Sequence, residues 1–191
     1  MIGHVTSGAL AGIEGFCVQI EAQIGHGMTN FFTVGLPEGA VRESRMRVRS
    51  AFIESQLSFP LRCITLNLAP ADIRKDGSAF DLPMALAILQ ANYEFINSPF
   101  ANQIIEESMV LGELGLSGDI RPIRGALPLC IAAKNAGFKN VILPPQNANE
   151  AALVEGLRIF TPQNLRELYL CLLNERALPE HVRERLPVEG Q

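Results

Sequence analysis

The first third of the chain alternates apolar and polar residues in short runs. From Ile13 to Ile24 the alternation is partial, with Phe16, Val18 and Ile20 on one face, and Phe31 to Val34 forms a second apolar run. Gly25-His26-Gly27 between the two runs has the chemistry of a tight turn, because glycine reaches positive φ without strain, so the spacing predicts a hairpin. Pro37 ends the second run. The period then lengthens. Val41, Val48 and Phe52 share one face of a helix predicted over Glu38 to Ser55, with Glu38 giving it an acidic first turn. Arg62 to Leu68 alternates again as a strand. A polar loop from Ala69 to Ala79 leads into a second helix, where Leu82, Leu86 and Leu89 recur at helical spacing. Asp81 is its expected cap, and Pro83 is tolerated in the first turn.

Further on, strand and helix patterns take turns. Met109 to Leu116 reads as a strand, Gly118 to Ile123 as a turn and short strand, and Gly125 to Ala136 as a helix ended by Gly137. Val141 to Leu143 is a short buried strand closed by Pro144-Pro145, Asn147 to Val154 a short helix, and Leu157 to Phe160 a strand. Pro162 to Leu173 reads as a last helix capped by Thr161. From Asn174 onward charges and prolines replace the apolar period, as in a linker or tail. The expected fold class is α/β (α+β): a mixed sheet with packed helices in a single domain over residues 1–173, with 174–191 as linker or tail.

Composition narrows the class. With 191 residues, 48% hydrophobic and 19% charged, the chain is too apolar for disorder and long enough for one well-buried domain. A net charge of -4 excludes a uniformly basic nucleic-acid binder but leaves room for a local basic patch. No run approaches the ~18 apolar residues of a membrane span. The first eight residues lack the basic and apolar regions of a secretory signal, so the expectation is a cytoplasmic protein without a membrane partner. Cys17, Cys63, Cys130 and Cys171 lie far apart in apolar stretches, as buried free thiols in a reducing compartment do.

Candidate chemistry is sparse. A phosphate-binding P-loop needs a lysine followed by Ser or Thr, whereas the three lysines here precede Asp76, Asn135 and Asn140. His4, His26 and His181 have no ligand spacing, and no metal site is expected. Tryptophan is absent, as is an Arg-Gly-Phe-type strand for stacking bases. One stretch stands out. Thr65 to Pro83 sets a glycine-containing polar loop between a strand and a helix start, where it can cradle an anion or present a nucleophile. It also reads simply as a turn at Lys75-Asp76-Gly77 with Ser78 or Asp81 capping the helix. Asp72, Asp76 and Asp81 read more readily as loop and capping residues than as a hard-cation site. Arg42, Arg45 and Arg49 fall at i, i+3 and i+7 on the first helix and are nucleic-acid-binding candidates, since guanidinium forks suit phosphate. Pairing with Glu38, Glu43 or a neighbouring subunit's acids is the alternative for that stripe.

Several short runs carry a resemblance in fixed order. They are Val34-Gly35-Leu36-Pro37, Arg47-Val48-Arg49-Ser50, Asn67-Leu68-Ala69-Pro70-Ala71-Asp72, Lys75-Asp76-Gly77 and Phe80-Asp81-Leu82-Pro83, then Leu111-Gly112-Glu113-Leu114, Ser117-Gly118 and Arg121-Pro122-Ile123-Arg124-Gly125. Together they resemble the N-terminal domain of the ComM/YifB family of Mg-chelatase-like AAA+ competence proteins. That resemblance, over residues 3 to 173, implies a fold like the Lon protease domain. It also implies an AAA+ module in the same polypeptide, a homo-hexamer, and DNA branch migration in natural transformation. ATP and Mg would belong to that module, leaving no cofactor in this chain, which ends about where the module would begin.

Lon proteases carry Lys-Asp-Gly-Pro-Ser-Ala-Gly, with the serine as nucleophile, and a partner lysine in Pro-Ile-Gly-Gly-Leu-Lys. The resemblance puts Ala79 at the serine position and Leu127 at the lysine position, so Lys75, Asp76, Gly77 and Ser78 form a vestigial loop and no enzyme is expected in this chain alone. Two other functions remain: a divergent Lon-like serine peptidase using Ser78 with Lys134 as a remote base, and a protein-recruiting adaptor without DNA contact.

Overall fold

The computed structural model describes residues 1–35 and 37–184. Its strands are β1 (Ile2–Ala11), β2 (Glu14–Gly25), β3 (Asn30–Val34), β4 (Cys63–Ala69), β5 (Ser108–Val110), β6 (Glu113–Leu114), β7 (Ile120–Arg121), β8 (Asn140–Ile142) and β9 (Arg158–Phe160). Its α-helices are α1 (Gly39–Glu54), α2 (Asp81–Ala91), α3 (Pro99–Glu106), α4 (Ala126–Asn135), α5 (Ala148–Ala151) and α6 (Leu165–Leu172). Seven strands make one mixed sheet in the order β3-β4-β2-β1-β5-β8-β9, and β6 pairs with β7 apart from it. The expected mixed α/β domain is what forms.

The sheet alternates residues between two cores. Val110, Ile142 and Phe160 join the cluster that includes residues of α1, α2, α3 and α6, whereas their neighbours Met109, Val141 and Ile159 join the one that includes α4 and α5. Ten of the eleven residues of α2 are buried, which explains a helix apolar on nearly every side. No described helix is long and apolar enough to cross a membrane. Cys130 and Cys171 are buried and Cys17 and Cys63 half-buried, all free, and burial pushes the Cys130 thiol up to about 12.

Several expectations need correction. β2 and β3 are not a hairpin, because β4 lies between them. It runs antiparallel to β2 from Gln19↔Ala69 to Gly25↔Cys63 and parallel to β3 from Asn30↔Cys63 to Val34↔Asn67. β3, α1 and β4 form a crossover unit, and Gly25 to Thr29 only carries the chain past the β4 edge. The hairpin of this sheet joins β1 and β2 through Gly12-Ile13, with Gly12 at φ +62°. β1 escapes apolar patterning because small residues are required there: a Cβ on Gly3 would sit 2.1 Å from the Ala87 carbonyl oxygen of α2.

The run Met109 to Leu116 is not one strand. The chain leaves the sheet after Val110, and Gly112 makes backbone hydrogen bonds with the loop before α2 and with its first turn, donating to Ala79 O at 2.9 Å and accepting from Leu82 N at 3.0 Å. Asp81 is the first residue of α2 and not its cap, which is Phe80. α6 starts at Leu165, capped by Asn164, whose side chain accepts from Glu167 N at 2.8 Å. Thr161 lies too far ahead of Leu165 to cap the helix, and its N–H donates to Pro179 O at 2.9 Å.

That last bond belongs to the segment expected as a tail. His181 N donates to Ile159 O at 2.8 Å, Glu180 bridges Phe160 antiparallel, and Arg158 forks onto the Glu180 carboxylate at 2.9 Å. Arg183 donates to the Val154 and Leu157 carbonyls. Residues after Asn174 therefore return along β9 as far as they are described, and 185–191 lie outside the described residues.

Candidate functional site

The β4–α2 loop is pinned by a buried cation. Lys75 is 0% exposed, and its ammonium donates to the carbonyls of Gly35, at 2.9 Å, and Pro70. Burial pushes that ammonium below its ordinary range, against the attraction of Asp72. Its carbonyl accepts from Glu38 N at 2.9 Å, which ties the loop to the start of α1. Gly35 makes this closeness possible, since at φ +100° a Cβ there would lie 2.1 Å from Leu68 O. Lys75 is thus a structural clamp within the motif.

Asp76, Gly77, Ser78 and Ala79 line a cavity of about 390 Å³ with Glu113 and Arg124. Ser78 Oγ donates to the Glu113 carboxylate. Glu113 escapes a reading for nucleophiles, although it sits inside the Leu111-Gly112-Glu113-Leu114 run. Leu127 does not line this cavity; it packs toward α5, and its N–H donates to Glu150 at 3.0 Å. Lys134 lies near the far end of α4, its Nζ 3.7 Å from where a Cβ on Gly156 would stand, so it is not gathered with Ser78.

Asp81 has a different task from capping. Its carboxylate is 0% exposed and receives Arg47 Nε at 2.7 Å, Arg47 Nη2 at 3.2 Å and Leu114 N at 3.0 Å. Arg47 Nη2 also reaches Ala40 O at 2.9 Å, so one fork joins α1, α2 and β6. Burial pushes the Asp81 carboxyl up, opposed by hydrogen bonds from Arg47, Ser44 and Leu114 N–H, and Asp81 holds the Arg47 guanidinium above its usual value. Asp72 and Asp76 remain exposed in the loop, and the described residues contain no cluster of three or more potential metal ligands.

The structure brings Arg42, Arg45 and Arg49 together. They line one groove of about 290 Å³ with Phe31, Met46, Phe59 and Leu61. The acids expected as their partners are engaged elsewhere: Glu38 pairs with Arg74 at 3.2 Å and Glu43 approaches Arg47 at 3.6 Å. Among the described residues none of the three arginines has a carboxylate in salt-bridge range.

A mixed sheet entered by this clamped Lys-Asp-Gly loop, closed against the Leu-Gly-Glu-Leu run, defines a Mg-chelatase-like domain. Residues 20–147, more than half of the chain, match the family described as subunit ChlI of Mg-chelatase, and the chain belongs to that family. Among curated relatives, an uncharacterized protein of Mycobacterium tuberculosis is 40% identical over 167 residues, covering 87% of this chain and 32% of the relative. Competence protein ComM of Haemophilus influenzae is 37% identical over 175 residues, covering 92% and 33%. The uncharacterized protein YifB of Escherichia coli is 36% identical over 170 residues, covering 89% and 32%. A weaker likeness reaches Lon protease 2 of Bacillus subtilis, 27% identical over 85% of this chain. The chain spans about a third of the length of its ComM and YifB relatives.

Proposed function

We propose that this chain is the non-catalytic N-terminal domain of a ComM-like AAA+ ATPase acting in DNA recombination and branch migration during natural transformation. In this reading residues 1–173 carry the domain, 174–191 lead toward an ATPase module, and the whole polypeptide assembles as a cytoplasmic homo-hexamer. The similarity to a competence protein over 92% of the chain supports the reading. The observation that carries its non-catalytic part is the occupant of the position that the Lon resemblance gives the nucleophile. Ala79 offers no attacking atom, and the hydroxyl beside it, on Ser78, is committed to Glu113. A carboxylate is a poor base for a serine hydroxyl, and Lys134 lies beside Gly156, away from both. The residues present also do not fit a Walker-type ATP and Mg site, since no lysine precedes Ser or Thr, so those ligands are assigned to the ATPase module.

The test compares two proteins. The complete gene product is expected to hydrolyse ATP and migrate branches on forked DNA, while the 191-residue chain turns over neither ATP nor casein-derived peptides. Peptide turnover by the chain that vanishes in Ser78→Ala would instead establish a peptidase. A complete gene product that binds proteins but moves no DNA would establish an adaptor.

A further inference from the structure

We propose that the groove between α1 and the segment entering β4 is a binding site for single-stranded nucleic acid, with phosphates on Arg42, Arg45 and Arg49 and bases against its apolar lining. The cations come first. An α-helix rises about 1.5 Å per residue, which sets Arg42 and Arg49 roughly 10 Å apart along the axis. Arg45, between them, is fixed by donating to Phe31 O at 2.9 Å and Arg42 O at 3.2 Å, and it keeps further donors for a ligand. The three lack intramolecular carboxylate partners among the described residues, so their charge is directed outward from a chain whose net charge is -4.

The apolar part is equally placed. Phe31 and Phe59 meet edge to face at 5.8 Å and 89°, and Phe59 meets the buried Phe52 at 5.3 Å and 89°. The floor is therefore rigid, anchored through Phe52 to the core. Met46 and Leu61 flank it at 74% and 76% exposure. Along α1 the outer stripe alternates Arg42, Met46, Arg49. A single strand presents one anion and one flat apolar group per nucleotide, which is the same alternation, and such sites combine a basic track with aromatic platforms. A duplex hides its base faces and would meet only the arginine rim. An acidic peptide would satisfy the guanidinium forks but brings no flat group for the ring floor.

This inference deepens the DNA-handling function proposed above and rests on it, yet the two fail separately. The probe is a fluorescein-labelled oligothymidylate of about a dozen nucleotides, titrated with the 191-residue chain by anisotropy. With three phosphate contacts, log affinity should fall with log salt at a slope of about -2, a loss of roughly 20-fold between about 50 and 200 mM. Arg42→Ala with Arg49→Ala, both exposed and neither holding the fold, should reduce the slope to about -0.7. Met46→Ala should weaken binding several-fold with the slope kept. No binding by the intact chain, or binding indifferent to the double variant, overturns the site. Preference for polyglutamate over oligothymidylate overturns it in favour of an acidic protein partner, and preference for duplex overturns the single-strand assignment. Branch migration by the complete gene product is read apart: its absence alongside intact oligothymidylate binding removes the motor function and leaves the groove.

Discussion

Replacing Arg47 with alanine is expected to lower stability by about 3–5 kcal/mol, because removing one partner leaves the other charge buried and uncompensated. For a chain of this size that corresponds to a fall in Tm of roughly 6–20 °C. Asp81 is 0% exposed, while Arg47 is 19% exposed. Without the guanidinium, Leu114 N–H and Ser44 alone face the carboxylate. Its pH dependence identifies the cause. Burial already sets the folded pKa of Asp81 above its unfolded value, so its contribution is present below the unfolded pKa and lost as pH rises through the folded one. Arg47→Ala removes a force that opposes that shift, so the variant should recover part of its deficit as pH falls toward about 4. Thermal melts across pH measure it, and a deficit equal at every pH would assign the loss to packing instead.

Lys75→Met is the second large effect. Methionine matches the length of the lysine stem but leaves the Gly35 and Pro70 carbonyls without the buried donor they share. Each unsatisfied group costs about 1–3 kcal/mol, partly offset because no ammonium is desolvated, so the expected loss is about 2–4 kcal/mol. The loop from Pro70 to Ala79 should become the first site of limited proteolysis. A variant as stable as wild type would refute the clamp.

Both residues illustrate where the sequence is legible. The helices at Gly39–Glu54, Asp81–Ala91 and Ala126–Asn135 follow from local period and turn chemistry, and they form within a residue or two of expectation. What local pattern cannot carry is pairing over distance. Asp81 has the propensity of a cap, but Arg47 lies 34 residues upstream and takes its carboxylate. The glycines after β2 have hairpin chemistry, yet the pairing partner, β4, arrives after α1. β1 is hidden by Gly3, Ser7 and Gly8, small where other elements press on it, and α3 begins at a Ser98-Pro99 start signal that stands between weaker patterns. The site divides the same way. Its loop is visible as a motif, whereas Glu113 beside Ser78 and the two phenylalanines beside the arginines come together only in the fold.

Whether the Lon-like loop keeps a nucleophile is tested most directly by intact mass after treatment with a fluorophosphonate, which labels activated serines without needing a substrate. If Ala79 stands at the nucleophile position, as proposed, and Ser78 Oγ donates to Glu113, the mass of the chain should stay unchanged after prolonged exposure. A stoichiometric adduct mapped to Ser78 and lost in Ser78→Ala would contradict a non-catalytic domain.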